Sequence, residues 1–157
     1  MKQKVLLAVL SLMLSLGAQA QVMKGRIYYN GNMSVTHLVK EKDAETEEDR
    51  AQREAVLDEI YTMSVTIEFT DSKKMRCRMK IITDDERAKE LGISWANRKL
   101  WGAQLSMAAK RGNYWSLYLA QNNVILLEDG SEMKLSEDGE QLFVDDDTMT
   151  ATLKRIK

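Results

Sequence analysis

From Thr62 to Thr70 every second residue is apolar (Met63, Val65, Ile67, Phe69), and Thr, Ser and Glu fill the places between. After Asp71-Ser72-Lys73-Lys74 the alternation resumes as Met75, Cys77, Met79 and Ile81 against Arg76, Arg78 and Lys80. A period of two puts the two sets on opposite faces of a pleated strand, so the segment reads as an antiparallel hairpin with one buried and one wet face. The constraint is strict, because a slip of one residue would turn the whole apolar set to solvent.

The C-terminal third repeats the device. Tyr114–Ala120 leads through Asn122-Asn123 to Val124–Leu127, then through Asp129-Gly130 to Glu132–Ser136 and through Asp138-Gly139 to Gln141–Asp145. Asp146-Asp147 precedes a final segment in which Met149, Ala151 and Leu153 alternate with threonines. Asn, Asp and Gly enter the left-handed region at little cost, and such pairs join adjacent antiparallel strands. Asn30-Gly31 predicts a further hairpin between Arg26–Tyr29 and Met33–Val39.

Two stretches break the β pattern. Residues 43–61 are rich in Glu, Asp, Arg and Ala, with a capping-box-like Thr46-Glu47-Glu48-Asp49 and a narrow stripe of Ala55, Val56, Ile60 and Tyr61. Residues 84–111 predict a helical insertion. Asp84 caps a short helix ended by Gly92, and Ser94 caps a second one carrying Trp95, Leu100, Trp101, Leu105 and Ala108, closed by Gly112. The reading is a mainly β domain over 21–157, an antiparallel up-and-down meander curled into a barrel or half-barrel with this insertion. A two-sheet sandwich is the alternative.

The N-terminus carries a different signal. Lys2 and Lys4 precede an apolar run from Val5 to Leu16, and Ala18-Gln19-Ala20 supplies the small-x-small pattern of a cleavage site ahead of Gln21. The run is short for a membrane span, which takes about 20 residues. Export to the periplasm or the extracellular space is therefore expected, with no membrane span in the mature chain. Of the 23 basic residues two lie in this leader and none of the 24 acidic ones does, so the mature chain has a net charge near −3. That balance argues against nucleic acid as a partner. Cys77 is the sole cysteine, so no internal disulfide forms.

The tail from Gly112 to Lys157, with Asn113-Tyr114-Trp115, its Asn-Asn and Asp-Gly turns and the closing Thr150-Ala151-Thr152-Leu153-Lys154-Arg155, resembles the small exported lipocalin-like β-barrel proteins of bacteria. The hairpin 62–82 is similar in style. Lipocalins proper carry Gly-x-Trp near the first strand, where this chain has Gly25-Arg26-Ile27. The resemblance implies a barrel that binds small apolar molecules.

The inward face inferred for such a ligand is Met63, Val65, Ile67, Phe69, Met75, Met79 and Trp115. Methionine is soft and accepts varied shapes, although it fills ordinary cores equally well. His37, the only histidine, cannot build a metal set alone and reads as a partly buried strand residue. Cys77 sits between Met75 and Met79 on the apolar face and reads as a small core hydrophobe rather than a nucleophile. Gly92-Ile93-Ser94-Trp95-Ala96 lacks the second glycine and the strand of a nucleophile elbow. The acidic turns at 137–138 and 145–147 lack the spaced ligands of a calcium loop. No catalytic group, metal or cofactor is expected. The chain reads as a non-enzymatic binding module for a small apolar ligand, or else as a structural or interaction protein of the cell envelope.

Overall fold

The computed structural model describes residues 21–40, 42–147 and 149–157. The strands are β1 Ile27–Met33, β2 Tyr61–Phe69, β3 Lys74–Thr83, β4 Tyr114–Gln121, β5 Val124–Leu127, β6 Glu132–Leu135, β7 Gln141–Asp145 and β8 Thr150–Arg155. The helices are α1 Glu47–Ile60, α2 Asp85–Glu90 and α3 Trp95–Lys110, with a 3-10 turn at Thr36–Leu38. The strands form a closed barrel in the order β1 to β8. Antiparallel pairing of Tyr28 with Arg155 and of Tyr29 with Lys154 joins the last strand to the first. Closure removes the edges that an open sheet would expose, and it rules out the sandwich alternative. The leader with Ala18 and Ala20 lies outside the described residues.

The turns follow from their sequences. Asn122 and Asn123 have φ of 50° and 60°, the two positive values a tight two-residue hairpin requires. Elsewhere an aspartate side chain holds the turn. Asp71 accepts the backbone N–H of Lys73 and Lys74, Asp129 that of Ser131, Asp138 that of Glu140, and Asp146 that of Met149. Each bond satisfies a donor that the ladder leaves over.

By their contacts the residues fall into two compact units. One contains residues 21–30, 66–77 and 114–157, hence most of the barrel ladder. Its interior is filled by side chains. Phe69 packs edge-on against both Tyr28 and Tyr118, with ring centroids 6.1 and 4.9 Å apart. The two hydroxyls are satisfied by backbone carbonyls, Tyr28 donating to Gly139 and Tyr118 to Asp71, both at 2.7 Å. Ile67, Met75, Ile125, Met133, Leu142 and Leu153 complete this core. An eight-stranded barrel is just wide enough for its own side chains to fill.

Strand β4 faces the opposite way from its apolar alternation. Met75 pairs with Ser116 and Cys77 with Tyr114, whereas Arg76 pairs with Trp115 and Lys74 with Leu117. Directly opposed residues share a face, so the inward set is Tyr114, Ser116, Tyr118 and Ala120. Trp115 and Leu117 point out, 61% and 46% exposed. Tyrosine serves inside because its ring is apolar and its hydroxyl reaches a carbonyl.

The other unit contains residues 31–65 and 78–113, which include all three helices. The three N-caps match the sequence. Thr46, Asp84 and Ser94 accept the backbone N–H of Asp49, Arg87 and Asn97 respectively. Gly92, at φ +70°, ends α2. Gly112 has a different role. A Cβ there would lie 2.3 Å from the Sδ of Met79, so the glycine permits close packing of the methionine. The predicted hairpin at Asn30-Gly31 does not form. Strand β1 runs through both residues, and the Asn30 side chain donates to the Thr152 carbonyl. Residues 36–38, predicted as strand, form the 3-10 turn. The turn is held by Asp58, which accepts the Val35 N–H and the Ser34 hydroxyl.

Candidate functional site

Helix α1 and helix α3 present their stripes to one groove of about 660 Å³, and every residue lining it belongs to the helical unit. On α1 the lining positions are Asp49, Gln52, Arg53, Val56 and Leu57, and on α3 they include Trp101, Gln104, Leu105 and Ala108. Both sets follow the spacing of three and four residues that marks one helical face. Leu38, Val39, Lys40 and Lys42, after the 3-10 turn, form a third wall. The volume lies within the roughly 300–1,000 Å³ of small-molecule sites.

The walls are fixed by polar contacts. The Tyr61 hydroxyl donates to the Arg98 carbonyl at 2.7 Å and anchors α3. Arg53 donates through Nε and Nη2 to the two carboxylate oxygens of Glu45, and Nη2 also reaches the Lys40 carbonyl at 3.2 Å. This fork ties the third wall to α1, and the guanidinium holds the Glu45 carboxyl below its usual range. Leu57 and Leu105 are buried in the floor. Leu38, Val39, Val56, Trp101 and Ala108 are half-buried, and Met107 on the rim is 65% exposed. An apolar lining left open to water is the arrangement an apolar ligand would relieve.

The residues inferred from the sequence lie elsewhere. Met63, Val65, Ile67, Phe69, Met75 and Met79 are all buried, as their alternation requires. They are divided between the units, Ile67, Phe69 and Met75 in the barrel unit and Met63, Val65 and Met79 in the helical one. Trp115 does not join them. It stands on the outer face with the Arg76 guanidinium 5.0 Å from its ring centroid, because the register of β3 and β4 reverses the expected facing. Gln21 is bound at the start of the described chain, its N–H to the Ala120 carbonyl and its side chain to Asn123.

His37 is exposed on the 3-10 turn instead of partly buried in a strand. Cys77 is fully buried, and desolvation with Asp146 nearby pushes its thiol up to about 12. Trp95 is 66% exposed at the first turn of α3, with the Lys99 ammonium 5.9 Å from its ring centroid. A second depression beside Trp95 and Arg98 is more polar, and there Arg98 pairs with Asp85 at 3.0 Å. Among the described residues no group of three or more His, Cys, Asp or Glu is placed to hold a metal ion, and no helix is long and apolar enough to cross a membrane.

The molecule is thus an up-and-down barrel chain carrying a helical unit with an open apolar groove. No protein-family model matches it, and neither a curated protein nor a solved structure does.

Proposed function

We propose that the protein is an exported, lipocalin-like, non-enzymatic module that binds a small apolar ligand, and that the ligand lies in the groove of α1 and α3 rather than inside the barrel. The observation that carries this reading is the half-buried apolar lining of that groove, against a barrel interior filled by Tyr28, Phe69 and Tyr118. The export part rests on the leader pattern ending at Ala20 and is tested by N-terminal sequencing of the exported protein, expected to begin at Gln21.

Titration with the neutral probe N-phenyl-1-naphthylamine tests binding directly. A saturable rise in probe fluorescence is expected, lost when Ala108→Trp fills the groove. A flat titration of the folded, delipidated protein would defeat the proposal. The second reading, an envelope interaction protein, is favoured by Trp115 and Leu117 on the outer face of the barrel. It predicts a partner whose capture is lost in Trp115→Ser and is indifferent to Ala108→Trp.

A further inference from the structure

We infer that the ligand is an amphiphile with an anionic head, a long-chain carboxylate, its alkyl chain along Val56, Trp101 and Leu105 and its head at Lys40, Lys42 and Arg111. The inference rests on the proposed groove site and names the class of molecule that site would take.

Charge makes the case. The chain as a whole is net negative, yet among the described residues the groove is lined by four cations, Lys40, Lys42, Arg53 and Arg111, against the single carboxylate of Asp49. Arg53 is committed to Glu45, whose charge Lys42 also feels. Counting Glu45, the described residues of the rim hold four positive groups to two negative ones. Lys40 and Arg111 enter no ion pair among the described residues, and both are exposed. An apolar floor under a positive rim complements a molecule with a greasy tail and one negative end, and it opposes a cationic or zwitterionic one. Exposed cations give modest attraction each, so together they favour an anion over its neutral analogue about tenfold. The tail supplies the rest, with each methylene buried tightening binding about fourfold.

The test displaces N-phenyl-1-naphthylamine from the full protein with dodecanoate, dodecanol and dodecyltrimethylammonium below their micelle concentrations. Dodecanoate is expected to bind about tenfold tighter than dodecanol, and the cation weakest. Decanoate should be weaker than dodecanoate by about fifteenfold for the two methylenes lost. The double variant Lys40→Glu with Arg111→Glu should erase the preference for the anion, read as the ratio of the dodecanoate and dodecanol affinities within that variant. Equal binding of dodecanoate and dodecanol, or a preference that survives the charge reversal, would overturn the anionic head while leaving the groove site standing. A probe that never binds would instead remove the groove itself. If the protein is a dimer that the amphiphile fails to dissociate, with the groove inaccessible to every probe, its occupant is a second copy and the inference is wrong.

Discussion

Gly112→Ala tests whether Met79 is packed solid or borders open space. The added Cβ would lie 2.3 Å from Met79 Sδ and 2.8 Å from Cε, where carbon contacts settle at about 3.5–4.0 Å. The end of the methionine must therefore move by more than about 1 Å. Met79 is only 5% exposed, so the movement has to be made inside a filled core. Overpacking of this kind costs about 1–3 kcal/mol, and the flexibility of methionine places this case near the lower end. The Gly112 backbone needs no positive φ, so alanine also removes about 0.4–1 kcal/mol of unfolded-chain entropy in its favour. The net expectation is a loss of about 0.5 kcal/mol, read as a lower urea midpoint at unchanged slope. In a Met79→Ala background Sδ and Cε are gone, leaving the Ala109 carbonyl oxygen 3.3 Å from the added Cβ, and the same substitution should be neutral or stabilising. The double-mutant cycle thus predicts a coupling of about 1–2 kcal/mol. Equal costs in both backgrounds would refute the close contact.

Two further predictions follow from burial. Cys77 should resist thiol reagents at pH 8 in the native protein and react stoichiometrically in urea. Because its folded pKa is raised to about 12 from 9.0, the native state keeps a proton that the unfolded chain releases, so stability falls as pH rises above 9. The decline approaches about 1.4 kcal/mol per pH unit and should shrink in Cys77→Ala, as urea midpoints between pH 8 and 10 will show. Trp115→Ser should change stability by no more than about 1 kcal/mol, the scale of its contact with Arg76, whereas Phe69→Ala should cost about 3–5 kcal/mol. Equal losses from the two would restore Trp115 to the core.

The barrel was legible because its code is local. Alternation at 63–69 and 75–81 and the Asn and Asp turns fix strand and hairpin positions with information held within a few residues. Strand β4 was misread for the same reason. Trp115, Leu117 and Leu119 form the more apolar set, but facing is decided by the pairing of Arg76 with Trp115, a contact across 39 positions. Asn30-Gly31 has the composition of a turn, yet its residues are held extended in β1. The groove was the least visible feature. The apolar stripe of α3 carries no sign of an open groove, and on α1 the sequence stripe is Ala55, Val56, Ile60 and Tyr61, whereas Leu57 and Ile60 are the helix's buried pair and Val56 lines the groove. Positions 49, 52, 53, 56 and 57 do show the helical spacing, but charged and amide groups occupy three of them, so apolar periodicity passes over the stripe. Leu38, Val39, Lys40 and Lys42 follow the 3-10 turn, and only the tertiary fold brings them to the site.

Whether ligand occupies the helical groove or the barrel is decided by methyl spectra of protein labelled with 13C-methyl methionine and titrated with dodecanoate. Met107 lies on the groove, while Met75, Met133 and Met149 are buried in the barrel unit. The Met107 methyl is expected to shift and saturate with the binding curve while those three stay in place. Shifts at Met75 and Met133 with Met107 unmoved would place the ligand inside the barrel and contradict the groove site.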